Sequence, residues 1–134
     1  MRFSQIRQCS SDPGPVPFVT GLKERARKNR CFRRVLWTGA HLQLTVMEIP
    51  PGGNIRLENH PETDQMLRVE AGQALVRMGQ KEHFLLRAGD AVLVPCGTWH
   101  NVINTGNCPL KLSSIYAPPQ HPRGAVHPTK KDDS

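Results

Sequence analysis

An all-β fold is predicted, a sandwich or barrel of eight or nine short strands, on three observations. Apolar and polar residues alternate with a period of two through most of the chain. Turn formers separate these segments at regular intervals. Helix-forming residues are confined to one short run near the start. Successive side chains of a strand point to opposite faces, so such alternation describes sheets with one face on a core. The 134 residues have room for one domain with a real core and not comfortably for two.

The elements follow in order. Residues 10–17, with Pro13, Gly14, Pro15 and Pro17, form a breaker-rich loop. Residues 22–28 are good helix formers, and the spacing of Leu22 and Ala26 predicts a surface helix resting on the sheet by an i,i+4 contact. Leu42, Leu44 and Val46 alternate with Gln43, Thr45 and Met47 in a strand that ends at Pro50-Pro51-Gly52-Gly53. Residues 55–60 are expected as the next strand, with Glu58 and His60 on one face. In the following strand Gln65 shares a face with Leu67 and Val69. Residues 74–78 and 81–86 flank Gly79-Gln80, read as a two-residue hairpin loop with Gly first. Strands at 91–94, 100–104 and 110–116 complete the set. The tail 118–134, rich in Pro, Lys and Asp, is expected to be extended and frayed at its end. Three parts result: a basic N-terminal arm with a short helix (1–34), a β-barrel (35–117) and a Pro-rich tail (118–134).

Two spaced patterns carry the chemistry. Gly89, Pro95, Gly97, His100 and Asn104 read G-x5-P-x-G-x2-H-x3-N, in which an apolar strand ends at a Pro/Gly turn and the next strand delivers one histidine. Upstream, Gly52, Glu58, His60, Gln65 and Gly72 keep the spacing G-x5-H-x-H-x3-4-E-x6-G, with Glu58 at the first His position and Gln65 at the Glu position. Together these patterns resemble the two signatures of the cupin superfamily. The segments Glu58-x-His60-Pro61-x-x-Asp64-Gln65 and Gly97-Thr98-Trp99-His100-Asn101-Val102-Ile103-Asn104 are similar to the small single-domain cupins called mannose-6-phosphate isomerase-like. Residues 36–39, 114–119, His121 and Pro122 extend the likeness to most of the chain. The resemblance implies a cupin-type jelly-roll β-barrel and a metal site. It does not by itself imply a reaction, since one fold hosts many chemistries.

The ligand set so implied is Glu58, His60, Gln65 and His100, holding a divalent cation; iron, manganese, zinc and nickel all accept such nitrogen and oxygen donors. Gln65 is open between a direct ligand and a donor behind the ligands. With Glu58 as the single carboxylate, the bound cation keeps a net positive charge toward an anionic oxygen ligand. Glu58 is also the candidate catalytic base. Trp99, Tyr116 and Met66 are candidates for lining the substrate pocket, set against simple core packing. His41 and His83 lie away from both patterns, and His121 and His127 sit in the tail, where surface positions are favoured. Cys96 fills a variable turn position, and Cys9, Cys31, Cys96 and Cys108 form no C-x2-C pair.

The net charge of +7 is uneven: residues 1–34 hold nine Lys and Arg against Asp12 and Glu24, and the remainder is balanced. Within the dense run 23–34 only Phe32 interleaves the charges, which gives no stacking platform, so nucleic acid is not the expected partner. No apolar run reaches membrane-spanning length, and the start lacks the apolar stretch of a secretory signal, so the cytoplasm is the expected compartment. The leading functional expectation is a metal-dependent cupin acting on a small polar metabolite. Its chemistry is open between isomerisation of a sugar or sugar phosphate and dioxygen activation at iron(II). The alternative is a non-catalytic ligand-binding or sensor barrel whose basic arm meets an acidic partner. Pairing through barrel edges as a homodimer is a further implication of the resemblance.

Overall fold

The computed structural model describes residues 12–133. Arg2, Arg7 and Cys9, counted with the basic arm, lie outside the described residues. The fold is mostly β, with two antiparallel sheets and one short helix among the described residues, as the resemblance implies. Helix α1 (Leu22–Lys28) precedes β1 (Arg33–Thr38), β2 (Gln43–Ile49), β3 (Asp64–Ala71), β4 (Gln73–Met78), β5 (Glu82–Arg87), β6 (Ala91–Val94), β7 (His100–Ile103), β8 (Leu110–Ala117) and β9 (Val126–His127). A final 3-10 turn spans Lys130–Asp133. The larger sheet has the order β6-β3-β8-β2-β1-β9 and the smaller β5-β4-β7. No helix among the described residues is long and apolar enough to cross a membrane.

The expected helix forms and packs as its spacing predicts: Ala26 is fully buried and, with Leu22, meets Leu36, Leu44 and Val46 on the outer face of the larger sheet. That contact sets the phase of β2. Leu44 and Val46 face outward under the helix, while Gln43, Thr45 and Met47 look into the barrel.

The inward faces change character along each strand. Ile49 and Met47 of β2, Val69 and Leu67 of β3, and Leu110 and Leu112 of β8 join Val76, Val94 and Val102 in the apolar core. Continuing on the same faces come Thr45 and Gln43, Gln65, and Ser114 and Tyr116, all buried. One half of the interior is therefore a packed core, and the other is a polar chamber whose walls the same strands hold in register. Gln43, Tyr116 and Gln65 lie side by side across β2, β8 and β3.

Three local expectations are corrected. Residues 55–60 do not form a regular strand: Arg56 has φ 80, which breaks the extended path and leaves only isolated bridges at Asn54 and Glu58. The loop between β4 and β5 has three residues, 79–81, since Met78 pairs with Glu82, with Gly79 at φ 63. The tail does not run free through residue 133. It returns to pair β9 with β1 at Arg33 and Arg34, and the carboxylate of Asp133 lies inside against Arg33.

Candidate metal centre

The two sequence patterns meet because their backbones are bonded to each other. Asn104 N–H donates to Gly53 O at 2.9 Å, and Ile55 N–H to Val102 O at 3.0 Å. Glu58 N–H donates to His100 O at 2.8 Å, and His100 N–H to Glu58 O at 2.9 Å. Gly97 N–H then donates to His60 O at 2.9 Å. Glu58 and His100 thus form a hydrogen-bonded antiparallel pair, which places their side chains on one face of the ladder. Asn104 fixes the far end of the turn, donating through Nδ2 to Ile49 O and Cys108 O at 2.9 Å each and accepting from Gly106 N–H. Asp64 accepts from Cys96 N–H at 2.9 Å, holding the Pro95–Gly97 turn against β3.

Ligand atoms of Glu58, His60 and His100 all lie within 4.8 Å of one another. His100 is buried, and its Nδ1 lies 2.9 Å from Thr98 O. A carbonyl only accepts, so Nδ1 carries the proton and Nε2 presents its lone pair to the cluster. Burial pushes the His100 pKa below its ordinary value, outweighing the Thr98 bond and the Glu58 charge, which favours the neutral ring that a metal requires. His60 Nε2 lies 3.4 Å from Glu58 Oε1, in poor alignment for a hydrogen bond. Glu58 Oε1, His60 Nε2, His100 Nε2 and Gln65 Oε1 are all buried and without a partner. Native interiors rarely leave one such atom unpaired, and four along one chamber are what a cation would satisfy. The donors present therefore fit a divalent ion of nitrogen and oxygen preference. Gln65 donates through Nε2 to Ser114 Oγ at 2.9 Å, which leaves its amide oxygen as the free end.

The pocket-lining candidates divide. Tyr116 is fully buried on the chamber wall, its ring 5.7 Å from that of His60 and 4.9 Å from that of His121. Burial pushes its phenol up, against the pull of Arg33 and Ser114, and its hydroxyl makes no hydrogen bond of good geometry. Trp99 does not line the chamber. It is 52% exposed, displaced outward by the inward turn of its neighbour His100. Met66 is on the wrong face as well: it neighbours Gln65, so the period of two sends it outward with Leu93 and Ile115.

Sequence reasoning missed three residues of the chamber. His121 meets Tyr116 edge to face, and burial together with the Arg33 charge lowers its pKa to about 4. Thr45 is fully buried with an unpaired hydroxyl. Arg33, counted with the basic arm, is 1% exposed inside the barrel. Its strand position two residues before Val35, on the same face, was the available signal. His41 and His83 are exposed, as their distance from both patterns suggested.

Comparison with known proteins agrees with this architecture. The family model for the cupin domain matches residues 45–116. The Uncharacterized protein YrkC of Bacillus subtilis (strain 168) is 52% identical over 126 residues, 90% of this chain and 68% of that protein. The Uncharacterized protein L612 of Acanthamoeba polyphaga mimivirus is 38% identical over 112 residues, 81% of this chain and 70% of that one. The crystal structure of BH2720 from Bacillus halodurans is similar at TM-score 0.89 and 54% identity, covering 92% of this chain and 97% of that chain. TT1209 from Thermus thermophilus is similar at TM-score 0.66 and 26% identity, over 75% of this chain and 96% of that one.

Proposed function

This chain belongs to the cupin domain family, and we propose that within it the protein is a metal-dependent barrel acting on a small oxygen-bearing metabolite. Glu58, His60 and His100 are the protein ligands, and Gln65 supplies a neutral fourth donor. The observation that carries this reading is the convergence of unpaired, buried donor atoms from two distant stretches of sequence. When bound, a divalent cation supplies Lewis acidity toward an oxygen of the ligand. Two imidazoles and one carboxylate with open positions are the donor set of non-haem iron(II) oxygenases, and this is the reaction class the site favours. A second reading, proton-transfer isomerisation of a sugar or sugar phosphate, draws on Glu58 as the one carboxylate of the cluster and hence its available base. In either case the chain's own residues orient the ligand, exclude water and hold a proton. We also propose a cytoplasmic homodimer with no nucleic-acid or membrane partner.

Elemental analysis of protein purified without added metal tests the site. One ion per chain is expected, falling away in Glu58→Ala, His60→Ala and His100→Ala while the far-ultraviolet dichroism keeps its β signature. Wild type without a stoichiometric ion would overturn the reading. Oxygen uptake against sugar-phosphate turnover then separates the two reactions, and loaded protein that does neither is the sensor barrel instead.

A further inference from the structure

The chamber holds a second charged wall. Arg33 enters from β1, with its side chain 1% exposed. Its Nη1 contacts both carboxylate oxygens of Asp133, its Nη2 lies 3.5 Å from Met47 Sδ, and its Nε has no partner. Asp133 is the only carboxylate in ion-pair contact with Arg33 among the described residues. That carboxylate comes from a single 3-10 turn of the tail. Arg56 Nη2 to Lys130 O at 3.1 Å, Arg56 Nη1 at 3.4 Å from Asp133 Oδ2, Lys130 Nζ to Asn54 Oδ1 at 3.2 Å and the His127 ring hold this turn to its surroundings. The strand β9, Phe32 N–H to Pro128 O and Val35 N–H to Ala125 O tie down the chain before it. A lone 3-10 turn opens more readily than core strands. Nearby, Tyr116 joins the ring of His60 to that of His121, and His121 Nε2 and Thr45 Oγ1 are unpaired. With a divalent ion at the neighbouring cluster, the interior would carry that ion and Arg33 against Glu58 and Asp133. Without Asp133 it needs an anion, because an unpaired buried guanidinium is costly.

We propose that Arg33 is a carboxylate-binding residue of this chamber, that the ligand is a small carboxylate-bearing molecule, and that Asp133 holds the ligand's place until the last turn of the tail is displaced. This rests on the metal-site reading in so far as both groups line one enclosure. A carboxylate is favoured because the occupant of the site is itself one, and because a guanidinium fork matches that planar group with two parallel N–H bonds. A guanidinium also pairs with phosphate, but a phosphate carries more negative charge than the single Arg33 matches, and α1, on the outer face of the sheet, adds no helix start to it. The surroundings set the size: Arg33, Thr45, Gln65, His100 and Tyr116 are all buried, so the room for a ligand is what the Asp133 carboxylate vacates, enough for a small group only.

Calorimetric titration of the full chain with acetate, acetamide and inorganic phosphate tests this, with metal content measured on each preparation. Asp133→Ala is expected to bind acetate at least tenfold more tightly than wild type, without a comparable gain for acetamide or phosphate. Asp133→Asn, which keeps the shape and removes the charge, shows the same direction and covers the case in which the alanine variant folds poorly. Adding Arg33→Gln to either variant abolishes the gain. Unchanged acetate affinity in a folded Asp133 variant overturns the proposal, and an equal gain for phosphate or acetamide overturns the ligand class. Metal-free protein in which Asp133→Ala still gains acetate defeats the metal reading and leaves this one standing. Stoichiometric metal without the gain does the reverse.

Discussion

The Glu58 side chain is 13% exposed and 3.4 Å from His60 Nε2, with Oε1 buried and unpaired. A carboxylate oxygen so placed is costly unless a cation meets it, since its desolvation is not offset by a hydrogen bond. Glu58→Gln should therefore act with opposite signs in two states. In chelator-treated protein it should raise unfolding stability by about 1–2 kcal/mol, the scale of relieving one poorly satisfied buried group. In metal-loaded protein it should weaken ion binding by at least about 100-fold, the upper range seen for loss even of an outer partner of a metal ligand. Urea melts with and without chelator, together with a competitive metal titration, read both effects; equal shifts in the two melts would remove Glu58 from the ligand set. Spacing made this carboxylate legible, because the pattern places residues 58, 60 and 65 relative to Gly52 and Gly72. For Arg33 the sequence offered only its alternation with Val35, which signals an inward face; the pairing with Asp133, 100 positions away, leaves no local trace.

Asp12 ties three elements together at the scale above. Its carboxylate accepts from Gly14 N–H at 3.0 Å, Thr38 N–H at 2.9 Å, Thr38 Oγ1–H at 2.6 Å and Gly124 N–H at 3.1 Å, while Arg123 returns to the carbonyls of Asp12 and Gly14. The N-terminal arm, the end of β1 and the tail thereby share one buried anion. Burial alone would raise its pKa, but these four bonds outweigh burial and hold it below the ordinary 3.8. The folded value is the lower one, so this stabilisation is fully present above pH 3.8 and is lost as pH falls through the folded pKa. Asp12→Ala should cost about 2–4 kcal/mol at pH 7, as several hydrogen bonds to a charged acceptor disappear together. The gap from wild type should narrow in urea melts below pH 3.8, and a gap that stays constant with pH would exclude the carboxylate as its cause. At this scale alternation predicted β2 and β3, although in β2 the apolar set Leu44 and Val46 is the outer one, covered by α1, and β8 is buried on both faces. It failed at residues 55–60, where one left-handed residue, Arg56, redirects the chain without disturbing the apolar pattern.

For the whole molecule, the outer face of the larger sheet is the unsettled surface. Helix α1 covers it over Leu44 and Val46, but at the other end β6 is an edge strand with Leu93 72% exposed, beside Met66 and Ile115. Phe84 and Leu85 of the adjacent β5 are 44% and 49% exposed. Apolar edges of this kind invite pairing with another strand unless they are charged or covered. The sequence could not show this patch, because Met66 and Leu93 are apolar residues at strand positions and read as core until the register assigns them to the outside. A homodimer across β6 would cover them. Its formation is expected to appear as a doubled mass in sedimentation equilibrium at micromolar concentration, and Leu93→Lys should shift the protein to monomer by at least about tenfold in dissociation constant, roughly 1.4 kcal/mol. The same substitution should leave the thermal midpoint of the isolated monomer nearly unchanged, since an exposed position contributes little to folding. A wild-type protein that sediments as a monomer would assign the patch to some other partner, and a dimer indifferent to Leu93→Lys would move the interface off β6.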